Sequence, residues 1–496
     1  MAAQLAAQKP TIKILIYTDN PAMENDDSFF GLQSMRERLL SHAPRFAKLQ
    51  TTTVCRSSSD QNHADNKINV VLDREVQQTG QPFDEIWFFG IHQANQNAPQ
   101  PSSFREGPAC ELDANEVAAL NQWMSAQNGG QGGGVLMTGD HANRSPFGLV
   151  LNNDGPCGAP APNTTDMGLG RAIGRCVPRA GALRLWEGPP TTSPNDSFST
   201  LSSLTGDQND RFPQHLTLRN VTPHGDLDEN GQPHPLFFYR QGDFIRVFPD
   251  HHHEGAVVIP DVLDPDQWPD GPNGQVRPQV VALGTDQRRD RSLNIVATYN
   301  GDLAGVGRIV ADSTWHHYIN ANLGGFFHPA PIGSEADQIG QFYGNLATWL
   351  APRSKRIQMA RAMCWELSRY TLQQEGRGDP ERLGVVAHSL LDRVASPCEI
   401  HELLLALPPL EAPVLEAVAA FERPATSAKL FLGYVIDGYH QTMSGVQTEG
   451  LQLNGTAPVP STVEGLIETA FKNTVEAQET RLRDRLAALG SIQNTN

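Results

Sequence analysis

The chain has 496 residues, with 38 Lys and Arg against 55 Asp and Glu and a formal net charge of −17. Two or three structural units are expected at that length, and the acidic balance argues against nucleic acid as a partner, because phosphate neutralisation needs basic surface. Hydrophobic residues make up 39%, enough for a sizeable core, and no run approaches the roughly 18 apolar residues that would span a bilayer, so no membrane is expected either. The opening MAAQLAAQKPTIK has no basic stretch followed by an apolar one, so no signal peptide is expected. Six cysteines, at positions 55, 110, 157, 176, 364 and 398, form no C-x-x-C pair. That usage fits a reducing, cytoplasmic location and argues against a zinc ribbon or a disulfide framework.

Residues 12–17, IKILIY, are a continuous apolar run that stops in Thr18-Asp19-Asn20-Pro21, as a buried parallel strand does when it opens into a loop. A helix is expected over 27–41, with Phe29, Phe30, Leu32, Met35, Leu39 and Leu40 as its apolar positions. Residues 51–55 read as a second strand and 68–78 are ambiguous. Residues 83–91, FDEIWFFGI, read as a third strand ending at His92-Gln93. A helix follows over 111–127, with Asp113 as its N-cap, Glu116 three positions on, and Val117, Leu120, Trp123 and Met124 on one face. Then comes GQGGGVLMTGDHA at 130–142, a glycine-rich approach to a short strand that ends in a tight polar turn. This order is that of an α/β sheet with right-handed crossovers.

From 143 to 243 the chain is rich in Pro, Gly, Asn and Asp. It reads as a loop-rich insertion with a helix near 167–175, placed to form a lid over the strand before it. Strands are expected again at 244–248, 256–259 and 279–283. Residues 294–299 and 307–311 read as a β-pair joined through Asn300-Gly301-Asp302. A helix over 335–350, with Ile339, Phe342, Leu346 and Leu350 on one face, closes the α/β domain of residues 11–350, and Ala351-Pro352 marks its boundary. Residues 353–496 read as a mostly helical C-terminal domain, with helices at 354–373 and 461–489. The second starts at the capping box Ser461-Thr462-Val463-Glu464 and stops at Gly490.

The pieces, in this order, resemble the class I glutamine amidotransferase-like superfamily, in particular its trehalose-utilisation (ThuA-like) branch. GGVLMTGDHA sits where that superfamily has its nucleophile elbow. HHHEGAVV at 251–258 resembles its His-His-Gln-Ala segment, GRIVADSTWHH at 307–317 its final strand and histidine, and NIVATYNGDLAGVGRIVA the closing hairpin of ThuA-like proteins. The resemblance covers roughly residues 11–350 without the insertion. It implies a flavodoxin-like three-layer sandwich with a site at the carboxyl edge of the sheet. The elbow has no cysteine, and the final histidine is followed by His317-Tyr318 rather than Pro-Glu, so glutamine hydrolysis by a Cys-His-Glu triad is not expected.

The expected site gathers the polar ends of the strands. Asp140, His141 and His316 are the candidate catalytic residues. Asp19, His92, His251, Glu254 and Trp315 are candidates for a substrate or ligand pocket, and His253 and His317 for a metal. Imidazole with carboxylate suits acid–base work near neutrality and also suits Zn, Fe or Mn, and a metal-activated water would replace the missing thiol. Plainer roles stand beside these. Asp19 and Asp140 could cap helices, His252 could sit on a solvated turn, and His316 or His317 could pack beside Trp315 and Tyr318. The leading expectation is a hydrolase of a small amide, ester or glycoside-type substrate, with or without the assistance of a divalent metal. The alternative is a non-catalytic amidotransferase-like module that binds a ligand through the same edge, or a protein partner through the helical domain.

Overall fold

The computed structural model describes residues 9–18, 31–55, 63–89, 114–126, 130–138, 214–222, 226–248, 269–271, 274–286, 291–312, 316–323, 334–374 and 379–406, with isolated positions elsewhere. The chain divides into two compact units. The α/β unit is Thr11–Pro44 with Lys48–Arg353. The helical unit is Met1–Pro10, Arg45–Ala47 and Ser354–Asn496.

The α/β unit is built on an eight-stranded mixed sheet. Its strands are β1 (Thr11–Thr18), β2 (Lys48–Cys55), β3 (Glu85–Phe89), β4 (Gly134–Thr138), β5 (Thr217–Leu218), β6 (Gln279–Asp286), β7 (Arg291–Tyr299) and β8 (Ile309–Asp312), in the order β2-β1-β3-β4-β8-β7-β6-β5. The first five in that order are mutually parallel, and β7, β6 and β5 extend the sheet in antiparallel fashion. The strand order reverses direction between β1 and β3. Such a point leaves a crevice beyond the carboxyl ends of the strands.

Helices cover both faces. Strand alternation sends Leu15, Tyr17, Ile86, Phe88, Val135, Met137, Ile309 and Ala311 to one side. There they share a core with Ile68, Val71 and Leu72 of α2 (Ile68–Thr79) and Leu120, Trp123 and Met124 of α3 (Ala114–Met124). Ile14, Ile16, Phe89 and Val310 face the other way and are fully buried. On that side α1 (Gln33–Ser41) packs against α4 (Glu335–Leu350), with Arg38 Nη1 donating to the Ala336 carbonyl at 3.2 Å. The result is a three-layer α/β arrangement.

Local chemistry explains the main elements. In α2 the buried Ile68, Val71 and Leu72 follow the spacing of one helix face, and the helix stops at Gly80, whose φ of 70° is the left-handed C-cap that glycine adopts without penalty. α4 begins at Ser334, whose side chain accepts from the Asp337 N–H at 3.2 Å. Every residue from Ala336 to Leu350 except Gln338 is buried in it. The link from β7 to β8 is longer than the sequence suggests. Asn300 has φ −85° and ψ 73°, not the left-handed pair a two-residue hairpin turn requires. Instead a 3-10 turn, Gly301–Ala304, leads to Gly305 at φ 71°. Arg308 pins this loop. Its Nε lies 2.8 Å from Asp302 Oδ2 and 3.1 Å from Asn300 Oδ1, Nη1 donates to the Trp349 carbonyl at 3.1 Å, and the guanidinium sits 4.7 Å from the Trp349 ring centroid.

Of the expected strand at 244–248, only Val247–Phe248 forms one, paired with Gln214–His215. The helix near 167–175 and the Asp113 cap lie outside the described residues, as do nearly all of 461–489. The helical unit contains α5 (Arg353–Gln374, of which residues from Ser354 on belong here), α6 (Pro380–Val394) and α7 (Pro397–Ala406). No described helix is long and apolar enough to cross a membrane.

Candidate functional site

β1, β3, β4 and β8 run parallel and end at one edge with Thr18, Phe89, Thr138 and Asp312. Strand alternation puts all four on the face that α4 covers. Asp312 is the register partner of Thr138 on the neighbouring strand. Thr18, Thr138 and Asp312 are all fully buried. Buried polar groups are destabilising unless hydrogen-bonded, and each of these has a bond. The Thr138 hydroxyl donates to the Phe88 carbonyl at 3.1 Å, the Thr18 hydroxyl lies 3.3 Å from Met23 Sδ, and Asp312 Oδ2 accepts from the Tyr318 hydroxyl at 3.0 Å.

The 3-10 turn His316–Tyr318 follows β8 and brings two rings beneath the edge. Tyr318 packs on Phe89 with centroids 4.9 Å apart and stacks on Tyr343 of α4 at 5.3 Å. Tyr343 donates a short hydrogen bond to the carbonyl of His317. The His317 ring packs on Phe248 at 4.7 Å, and its Nε2 lies 3.9 Å from Asp312 Oδ1. That distance is too long for a hydrogen bond but within ion-pair reach once the ring is protonated. Burial pushes both phenol groups well above their ordinary range, and the Asp312 carboxylate adds to this for each. Tyr318 and Tyr343 are therefore permanent donors, which hold the carboxylate and the turn in place.

Asp312 and His317 are both completely shielded from solvent. They can orient, and they can hold charge, but they do not themselves meet a solute. Asp19, His92, Asp140, His141, His251, His253, Glu254 and Trp315 lie outside the described residues, as does the side chain of His316, whose backbone opens the 3-10 turn. Of the named candidates, His317 is thus the one whose side chain the structure places. Its aromatic neighbours include Tyr318, with ring centroids 6.2 Å apart. Among the described residues no three His, Cys, Asp or Glu side chains are grouped to hold a metal ion. Asp312 and His317 would supply two ligands at most, where a catalytic zinc takes three from the protein.

Sequence reasoning missed Thr18, Thr138 and Tyr343 as parts of this network. Thr18 and Thr138 are the last residues of apolar runs, so position marked them. Tyr343 adjoins Phe342 in a helix whose apolar face was drawn too narrowly. A second polar network lies between α1 and α4. His42 Nε2 is 3.1 Å from Asp337 Oδ1, His42 Nδ1 is 3.0 Å from the Arg38 carbonyl, and Tyr239 donates to the other Asp337 oxygen. The amino edge of the sheet has its own buried acid, Glu85. Its Oε2 accepts from Trp87 Nε1 at 2.8 Å, and burial, reinforced by neighbouring Asp84, holds its carboxyl well above the carboxylate range.

Comparison of the chain with protein-family models, curated proteins and solved structures found no match.

Proposed function

We propose that this chain is an amidotransferase-like hydrolase of the ThuA-like kind, acting on a small amide, ester or glycoside-type substrate at the carboxyl edge of its sheet. The observation that carries this reading is the parallel order β2-β1-β3-β4-β8, which is compatible with a flavodoxin-like sheet, with a buried Asp312 network beneath the edge where its strands end. Asp140 and His141 follow β4 in the chain and His316 follows β8. Covalent reach keeps the Asp140 Cα within about 7 Å of the Thr138 Cα, and neighbouring strands lie about 4.8 Å apart. Asp140, His141 and His316 are assigned to proton transfer and activation of water. Asp312, Tyr318 and Tyr343 form the platform that positions the turn carrying His316. A divalent metal (Zn, Fe or Mn) would, if bound, lower the pKa of the attacking water. The flanking segments with Asp19, His92, His251, Glu254 and Trp315 are assigned to binding, and His253 to holding the metal.

The test is a screen of purified protein on chromogenic amides, esters and glycosides, with and without added Zn or Mn, beside Asp140→Asn and Asp312→Asn. Turnover abolished by Asp140→Asn and reduced by Asp312→Asn, with melting temperatures retained, supports the reading. Turnover untouched by both variants refutes it. The full burial of Asp312 and His317 favours one other reading, a ligand-binding module without chemistry. Ligand-induced thermal stabilisation with no hydrolysis of any substrate would select that instead.

A further inference from the structure

We propose that Glu399 is a proton-sensitive clasp on the segment Arg45–Ala47 within the helical unit. The sequence Ser396-Pro397-Cys398-Glu399 opens α7 as a capping box, and the Ser396 hydroxyl accepts from the Glu399 N–H at 3.0 Å. In the usual box the acidic side chain then turns back to the N-cap residue. Here it turns away. Glu399 Oε2 accepts from the Arg45 N–H and Oε1 from the Phe46 N–H, each at 2.8 Å. One carboxylate thus holds two consecutive backbone amides from a residue more than 350 positions earlier. Glu399 is 1% exposed and Phe46 is equally buried, so water does not compete for the bond from Phe46.

The chemistry of the clasp depends on one proton. An ionised carboxylate accepts on both oxygens, whereas a protonated one has turned one oxygen into a donor. Facing two N–H groups, the acid form keeps one bond and weakens the other. Burial pushes this carboxyl up to about 7, while the two N–H bonds and the positive charges of Lys9 and Arg45 pull it down. Two ion pairs lie close to the clasp. Arg45 meets Glu366 of α5, and Glu402, one turn along α7, meets Arg356 of α5 at 3.1 Å in a buried pair. Glu399 itself carries the proton that changes the clasp near neutrality.

The experiment is hydrogen–deuterium exchange on the full chain from pH 5.5 to 8.5, corrected for intrinsic rates, following the amides of Arg45 and Phe46 against amides of α5. In the wild type their protection should fall about tenfold at the acid end, the loss of about one hydrogen bond, while that of α5 does not fall there. Glu399→Gln, which offers one acceptor and one donor, should show the low protection at every pH. Protection at 45–46 that is flat across the range in the wild type overturns the proposal. So does a fall shared equally by α5, since that reports unfolding of the unit rather than a clasp. The wild-type series decides the matter even if the variant does not fold.

Discussion

Gly340 of α4 faces the ring of His42, and a Cβ built there would lie 2.5 Å from the ring's Cε1. Replacing Gly by Ala inside a helix ordinarily stabilises by about 1 kcal/mol. Here the added methyl must push the imidazole aside. The ring is held at both nitrogens, by the Arg38 carbonyl at 3.0 Å and by Asp337 Oδ1 at 3.1 Å, and these side chains are only 13% and 7% exposed. Losing the hydrogen bond to the Asp337 carboxylate, about 3 kcal/mol at this burial, outweighs the helix gain. Gly340→Ala should therefore destabilise the α/β unit by about 2 kcal/mol. The sign should reverse once the obstacle is gone: added to His42→Ala, the same substitution should stabilise by about 1 kcal/mol. Urea denaturation of the four proteins, with Trp fluorescence as the signal, measures both numbers. A neutral or stabilising Gly340→Ala in the wild-type background, or the same sign in both backgrounds, would refute the packing argument.

Other predictions follow the same logic. Gly134→Ala puts a methyl into the backbone carbonyl of Leu350, where no side chain can give way, and should cost more than about 3 kcal/mol or abolish soluble expression; Gly80→Ala, with open space around it but φ 70°, should cost only about 1 kcal/mol, and parallel melting curves separate the two. Unfolding of the helical unit, unlike release of the clasp alone, carries Glu399 into water; its folded pKa is raised, so against that state its contribution to stability is complete below the ordinary value of 4.5 and is lost as pH rises through about 7. That amounts to on the order of 3 kcal/mol, which Glu399→Gln should remove from the pH–stability curve of the helical unit. Glu85 has the same sign: its neutral form favours the fold, so Glu85→Gln should gain stability over the parent as the pH is raised, and a parent that holds its melting temperature as well as the variant at pH 9 would contradict this.

The frame of the fold was legible because apolar runs with abrupt polar ends leave few alternatives. IKILIY became β1, FDEIWFF gave β3, and the spacing over 335–350 matched α4. Residues 68–78 were ambiguous because β-branched residues crowd the start of the segment, and the buried trio Ile68, Val71 and Leu72 emerges only when a sheet face is available to bury it. The turn at 300–302 was misjudged because Asn-Gly signals a tight hairpin locally, whereas Arg308, several residues on, recruits Asp302 and Asn300 into a wider loop. Strand order was out of reach of periodicity altogether, since it depends on contacts between distant segments. Asp312 closes the apolar run of β8, but its partners Tyr318 and Tyr343 join it through a turn and a helix whose placement is tertiary.

β8 has a further consequence, for biosynthesis. It sits between β4 and β7 in the middle of the sheet, and its register partner for Thr138 is Asp312, while Val135 pairs with Ile309. A ribosome adding about 5–20 residues per second needs roughly 10–35 s to travel from β4 to β8. Through that interval β4, five consecutive buried residues of apolar strand, has β3 on one side and an open row of backbone donors and acceptors on the other. The nascent chain therefore passes through a stage at which its own central strand is a template for any passing strand. Truncations that stop before residue 309 should aggregate, and the intact chain should depend on chaperones at this step more than its final stability would suggest.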